Sequence, residues 1–305
     1  MRLGVIVPQG WTGEYDGWEP EPAWARTVAV ARQADRLGFE SIWLFDHFHT
    51  VPRPTDEITF ESFTSLSALA ALTARVRLGH VVICNGFRNP ALVAKMASTL
   101  DTISGGRFEL GIGAGWKREE WLAYGYGFPE TAERLAMLHD GLEVISRMLE
   151  PGPSTHATYD GPHHAVAGAR NLPKPIQASG MPIMVGGNGP KVTWRLAARY
   201  ADELNVDGLS PDEVRDALPT IRARCEEIDR DPDSLAVSVH IWWGTDAWRE
   251  GGEPRRRLLR AYADLGVSRV IGLLQASATE DSAIESLAED ARAAGVDLAE
   301  PSTGA

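Results

Sequence analysis

The stretch Val76–Trp116, VRLGHVVICNGFRNPALVAKMASTLDTISGGRFELGIGAGW, decides the fold. It opens on the apolar, β-branched run Val76–Ile83 (VRLGHVVI), which reads as a strand. A tight loop from Cys84 follows. Asn89 then suits a helix N-cap and Pro90 its first position. Leu92, Met96, Leu100 and Ile103 recur at helical spacing, and Gly105 and Gly106 stop that helix. Arg107–Gly113 is a second strand. Strand, helix and strand in this order are the unit of a parallel sheet.

Outward from this unit the alternation continues. Towards the N-terminus lie a strand at Leu3–Pro8, a helix at Glu21–Leu37 ended by Gly38, a strand at Ser41–Phe45 and a helix at Ser62–Ala74. Towards the C-terminus a helix over Glu133–Leu149 is followed by Thr155–Gln177, rich in Pro, Gly and His, whose THATYDGPHHAV reads as a hairpin. Then come strands at Pro182–Gly187, Glu203–Val206, Leu235–Trp242 and Arg269–Leu274. They alternate with helices at Lys191–Tyr200, Asp212–Ile228, Pro254–Leu265 and Glu280–Ala294, before a frayed tail, Glu300–Ala305. Eight strands alternating with eight helices favour closure into an α/β (β/α)8 TIM barrel, with an excursion between the fourth and fifth strands. An open doubly wound sheet is the alternative. No repeat or linker divides the chain, so a single domain over 1–305 is expected.

The 305 residues are 44% apolar, enough for a sizeable core. The formal charge of −12 argues against nucleic acid and anionic membrane as partners. Cys84 and Cys225 have no paired spacing, so neither a disulfide framework nor a zinc ribbon is expected. The opening MRLGVIVPQG lacks the features of a signal peptide, and no run is long enough to span a bilayer. A reduced, cytoplasmic protein is expected.

Barrel chemistry sits in the loops after the strands. Asp46-His47-Phe48-His49 follows the second strand. The carboxylate suits a hydrogen bond to a cofactor, and the histidine suits acid–base work; a polar strand end held by local bonds is the plainer account. His47-x-His49 also suggests a metal, yet no second ligand cluster stands at a later strand end. Cys84-Asn85-Gly86 tolerates unusual backbone angles, while Cys84 alone is more often a small buried residue than a nucleophile. Gly111-Ile112-Gly113-Ala114-Gly115-Trp116 is not the dinucleotide fingerprint, because Trp116 stands where a glycine is needed. Gly186-Gly187-Asn188-Gly189-Pro190-Lys191 runs into a helix, and its backbone N–H groups suit a phosphate. His240 and Trp242 alternate along the seventh strand and face one way, into the barrel or its mouth. Trp11, Trp18, Phe48, Trp116, Trp121, Trp242 and Trp243 are candidates to wall an apolar pocket.

Phe87–Trp116 resembles the luciferase-like monooxygenase superfamily, and within it the branch of oxidoreductases dependent on the deazaflavin coenzyme F420. Gly38–Phe48 (GFESIWLFDHF), the stretch Glu120–Gly127, Pro182–Asp202 (PIMVGGNGPKVTWRLAARYAD) and Gly266–Leu274 (GVSRVIGLL) agree, in order. The resemblance implies hydride transfer between coenzyme F420 and a small organic substrate at the C-terminal mouth, with FMN as the alternative cofactor of an oxygen-using monooxygenase. It implies that Asp46 contacts the deazaflavin and that His47 is the acid–base residue. It places a bulge with a non-proline cis peptide at Cys84-Asn85, and the cofactor phosphate on Gly187, Asn188 and Gly189 beside Gly186. Gly113 and Ala114 fall at the cofactor, and Ala114 stands where enzymes oxidising sugar phosphates carry a catalytic glutamate. Relatives are often homodimers. A metal-dependent barrel hydrolase and a non-catalytic flavin-binding protein remain the alternatives from other classes.

Overall fold

The structure, a computed structural model, describes residues 1–152, 154–242 and 245–300. Trp243 and most of the expected tail therefore lie outside the described residues. Along the chain run β1 (Arg2–Ile6), α1 (Pro20–Leu37), β2 (Ser41–Leu44), α2 (Ser62–Leu72), β3 (Arg77–His80), β4 (Ile83–Cys84), α3 (Pro90–Ser104) and β5 (Phe108–Gly113). Next are α4 (Arg118–Ala123), α5 (Thr131–Leu149), β6 (His156–Asp160), β7 (Ala165–Arg170), β8 (Ile183–Gly186), α6 (Thr193–Tyr200) and β9 (Glu203–Asp207). The chain closes with α7 (Pro211–Glu226), β10 (Ala236–Ile241), α8 (Asp246–Glu250), α9 (Gly252–Asp264), β11 (Arg269–Leu273) and α10 (Ser282–Ala293).

The strands pair in parallel and close on themselves, β1 between β2 and β11, and β5 between β3/β4 and β8. β3 and β4 are two halves of one strand, so the barrel has eight staves. The open-sheet alternative is thereby set aside. The antiparallel β6–β7 hairpin is the excursion, tied to α5 where Asp140 accepts from Tyr159 Oη at 2.8 Å and from the His163 N–H at 2.8 Å.

Local signals set most boundaries. Asn89 Oδ1 accepts from the Ala91 N–H at 2.9 Å, and Gly105, with φ +67°, ends α3. Three details differ from the sequence reading. The third strand breaks at a cis peptide, Val81–Val82. α6 begins at Thr193, leaving Lys191 in the preceding turn. Two short helices, α4 and α8, carry too few residues for a periodic signal; burial of Glu120, Trp121 and Trp248 holds them.

Inward-facing side chains alternate with outward ones along every stave. The outward set, such as Leu3, Ile42, Leu78, Leu110, Val206 and Val270, packs beneath the helices as the main core. The inward set is layered. At the N-terminal end Arg269 donates to Glu109 at 2.7 Å and lies 3.5 Å from Glu203 and 3.3 Å from Glu40; Arg2 pairs with Glu40 and Glu203, and Arg77 with Glu109. Burial works to raise the Glu109 pKa, but Arg269 and Arg77 hold it below the usual carboxylate range. Above this layer the Trp43 ring fills the barrel, where a Cβ on Gly79 would fall 2.2 Å from it. Ile6, Phe45, Val81, Met184, Ile271 and Leu273 form the next layer. The mouth above them is open.

Two predictions concern this frame. Arg269→Met strands Glu109 and Glu203 without their buried counter-ion. It should remove about 3–5 kcal/mol of stability near neutral pH in chemical denaturation, a loss that shrinks on acidification. Undiminished stability would mean that the ion layer contributes nothing. His80 is fully buried against Phe63 and Phe108, and burial, opposed by Asp46, lowers its pKa from 6.5 to about 4. The fold therefore favours neutral imidazole: this contribution is complete above pH 6.5 and lost as pH falls towards 4. That lowering corresponds to ~3 kcal/mol. His80→Leu should flatten the stability curve across that window, and a parallel curve would refute the assignment.

Candidate active site

The loops at the C-terminal ends of the staves surround a cavity of about 450 Å³. That volume is in the range of small-molecule sites. Asp46, His47, Cys84, Gly113, Ala114, Gly186, Gly187, Asn188 and Gly189 all border it, as do His240 and Trp242. Asn85 does not: it is buried beneath α5, where its amide donates to the Met137 carbonyl at 3.0 Å. The non-proline cis peptide expected at Cys84-Asn85 lies at Val81–Val82 instead, between β3 and β4.

Val82 takes the centre of the floor. A Cβ added to Gly113 or to Gly186 would come within 2.9 Å of its side chain, so both positions require glycine. The floor is thus a valine flanked by bare backbone. Beside it Gly187, at φ +133°, begins the turn into α6, whose N-terminus has no side-chain cap. The Asn188 side chain is committed to β9, donating to the Asp207 carbonyl at 2.8 Å and accepting from the Asp207 N–H at 2.8 Å. Asn188 therefore braces the turn; the Gly187 N–H is spent on the Asn205 carbonyl at 2.9 Å, which leaves the Asn188 and Gly189 N–H groups for a ligand. Thr193 borders the cavity, whereas Lys191 is exposed and does not.

Asp46 is buried and saturated. Arg88 donates to both of its oxygens, at 2.7 and 2.9 Å, and Ser62 Oγ and the Cys84 N–H donate at 2.9 Å each. Burial alone would raise its pKa; Arg88 and the Cys84 N–H outweigh burial and hold it below the usual range. The carboxylate locks the β2 exit to the β4 exit. Burial pushes the Cys84 thiol far up, as expected of a packing residue and not of a nucleophile.

His47 is held at the cavity from two sides. Its Nδ1 lies 2.7 Å from Glu120 Oε2, and the other Glu120 oxygen accepts from the Phe48 N–H at 3.0 Å. Glu120 is fully buried on α4. The Trp11 ring stacks on His47 at 4.1 Å and 1°, and Trp116 meets it edge-on at 5.8 Å. With Nδ1 bound to a carboxylate, Nε2 is the nitrogen left for a ligand. Lys117 is buried alongside, donating to the Thr50 carbonyl at 2.7 Å; burial lowers its pKa. Sequence reasoning did not single out Glu120, Arg88 or Trp11's stacking role. The Glu-Glu-Trp run directly after the glycine loop was the one local signal for Glu120.

The other walls are aromatic. Trp11, Trp116, Trp121 and Trp242 border the cavity. On the far side of His47, Phe48, Phe87, Tyr124 and Tyr126 line a second chamber of about 410 Å³. Trp18 lies elsewhere, packed on Tyr15. Across from His47, Asp207 accepts from the Trp242 indole at 2.9 Å and lies 3.0 Å from His240 Nε2. Among the described residues no group of three or more His, Cys, Asp or Glu side chains is arranged to hold a metal, and no helix is long and apolar enough to cross a membrane.

Comparison with known proteins places this geometry in a family. The chain is 35% identical over 214 residues to an F420-dependent glucose-6-phosphate dehydrogenase of Kineococcus radiotolerans, covering 69% of this chain and 61% of that protein. The chain thus spans about three fifths of that relative's length. It is 25% identical over 263 residues to a 5,10-methylenetetrahydromethanopterin reductase of Methanopyrus kandleri, covering 83% of this chain and 71% of that one. Among solved structures, an F420-dependent secondary alcohol dehydrogenase in complex with an F420-acetone adduct superposes with a TM-score of 0.81 at 19% identity, over 96% of this chain and 98% of that one, a likeness of fold. The model of the luciferase-like monooxygenase family matches residues 1–263, and the chain belongs to that family.

Proposed function

We propose that this protein transfers a hydride between the deazaflavin coenzyme F420 and a small organic substrate at the C-terminal mouth of its barrel. The observation that carries this reading is the juxtaposition in one cavity of His47, braced by Glu120 and Trp11, with a floor of one valine between two glycines and a glycine turn. The names of two relatives carry F420.

The residues present fit such a cofactor. Val82 with Gly113 and Gly186 offers a flat apolar face, because any Cβ at those glycines would strike Val82. The N–H groups of Asn188 and Gly189, ahead of the uncapped start of α6, suit the phosphate, while Gly187 turns the chain with its own N–H on the Asn205 carbonyl. Gly113 and Ala114 would border the ring, with Cys84 behind them. Asp46, being saturated, would act by fixing the β2 and β4 exits and not through a free oxygen. When bound, a deazaflavin supplies or takes a hydride at its C5 and reacts poorly with oxygen.

The protein's own residues would do the rest. Trp11 and Glu120 hold the His47 ring in one orientation, so that Nε2 gives or takes the proton that accompanies the hydride. The tryptophan walls exclude water. The family's reduced-FMN and oxygen chemistry is the second reading.

Titration with oxidised and reduced coenzyme F420, and with FMN in parallel, separates the two. Micromolar binding of the deazaflavin with weak FMN binding is expected; tight FMN binding alone would move the protein to the second reading. His47→Ala should still bind coenzyme F420 but slow single-turnover hydride transfer about 10²–10⁴-fold. Glu120→Gln should slow it less while leaving cofactor affinity within about twofold, as a loss of orientation would. An unchanged rate in His47→Ala would remove His47 from the mechanism.

A further inference from the structure

We propose that Asp207, fixed by His240 and Trp242 on the wall of the mouth that faces His47, selects the substrate, and that the substrate it selects carries a protonated amine. The inference rests on the hydride-transfer reading above and narrows its substrate to an organic cation.

Asp207 ends β9, which stands four staves from β2 in either direction round the barrel. It therefore faces His47 across the cavity that both border. Its Oδ1 accepts from the Trp242 indole N–H at 2.9 Å and lies 3.0 Å from His240 Nε2. His240 is itself held. Its Nδ1 lies 2.5 Å from Asn205 Oδ1, and the Asn205 amide donates to Ser238 Oγ at 2.8 Å. This chain of contacts runs up the inner faces of β9 and β10, so staves and not a loop aim the carboxylate. Burial would raise the Asp207 pKa, but the His240 and Trp242 donors outweigh it and hold it below the usual carboxylate range. The group is an anion near neutral pH.

Oδ2 is left over. Among the described residues it meets no donor, and the side chain is 48% exposed, so a ligand can reach it. On an open surface a free carboxylate oxygen would mean nothing. Here it borders an aromatic-walled cavity whose other two carboxylates are engaged, Asp46 by Arg88 and the Cys84 N–H, and Glu120 by His47 and the Phe48 N–H. Between Asp207 and His47 the wall is indole: Trp11 stacks on His47 at 4.1 Å and meets Trp242 at 4.9 Å. Indole faces attract cations, and a charge-assisted hydrogen bond to a carboxylate adds direction. An acidic group would be repelled there. Lys117 and Arg134 also border the cavity, but from the β5 side, where they donate to the Thr50, Gly115 and Pro129 carbonyls. The amine therefore sits at the β9 end, an indole pair away from His47. It positions the substrate and takes no part in the hydride and proton movements.

The test titrates three probes of similar shape near neutral pH: benzylammonium, benzyl alcohol and benzoate. Each is added to the protein with coenzyme F420 bound and without it, and tryptophan fluorescence is followed. In the wild type, benzylammonium should bind about ten- to hundredfold more tightly than benzyl alcohol, and benzoate more weakly than either. Asp207→Asn should bring benzylammonium to the level of the alcohol and leave the alcohol as it was. Should Asp207→Asn fail to fold, Asp207→Ser takes its place, and the ranking in the wild type decides without either. Equal binding of ammonium and alcohol in the wild type, or a preference that survives in Asp207→Asn, overturns the proposal; with coenzyme F420 still bound, the hydride-transfer reading stands. An ammonium preference that Asp207→Asn abolishes, in a protein that does not bind coenzyme F420, would sink the hydride-transfer reading and keep Asp207 as a cation-selecting residue.

Discussion

Arg269 reaches across the N-terminal end of the barrel to Glu109, and this buried pair, with Glu203, Glu40, Arg2 and Arg77 around it, closes one end of a cylinder whose other end stays open. A closed eight-stranded barrel leaves an interior that side chains must fill. Here charge fills the bottom, Trp43 the middle and aliphatic groups the level beneath the mouth. The two-residue period ties these levels to the site. The stave that contributes Glu203 below contributes Asn205 above it and Asp207 at the mouth; the one that begins near Glu109 continues through Gly111 to Gly113. A slip of one residue would send the charges among the helices and the helix-facing leucines and valines into the cavity. The register that satisfies the ion layer is the one that presents the residues of the mouth cavity.

Rigidity at the mouth has the same origin. Asp46 uses both oxygens to tie the end of β2 to Arg88, Ser62 and the end of β4. Its neighbour His47 is thereby set on a fixed stem, and Glu120 and Trp11 then fix its ring. Positioning of this kind favours a group that must move a proton at one defined point, since small misplacements are expensive in rate.

The barrel was legible in the sequence because its signals are local and repeated: β-branched runs, helical spacing in Leu92, Met96, Leu100 and Ile103, and glycine stops such as Gly105. The cavity was legible in outline, since residues after strand ends converge by topology alone; Asp46, His47, Gly113 and Gly187 meet there as expected. What was not legible depends on partners distant in sequence. Nothing near Asp46 says that Arg88 will saturate it, and nothing near His47 names Glu120, 73 residues away. Asn85 was misplaced because a loop residue beside a cavity lining can turn either way, and here its amide found the Met137 carbonyl. The ion layer left a trace that a period-two reading recovers: charged residues recur at or near the start of β1, β3, β5, β9 and β11.

The mouth divides its tasks among parts of the chain that can vary separately. The floor and the glycine turn come from the ends of β5 and β8 and from the β3–β4 break, all frame elements whose glycines admit no side chain. The His47–Glu120 pair comes from the end of β2 and from α4. Much of the remaining wall comes from loops and loop-like segments: Trp11 after β1, Trp116 after β5, Tyr124 and Tyr126 after α4, and Trp242 after β10. Loops tolerate substitution far better than staves do. A lineage keeping the floor, the turn and the His47–Glu120 pair would retain one chemistry while exchanging the aromatic walls for others. The names of two relatives carry a sugar phosphate and a pterin, and that of a fold neighbour a secondary alcohol.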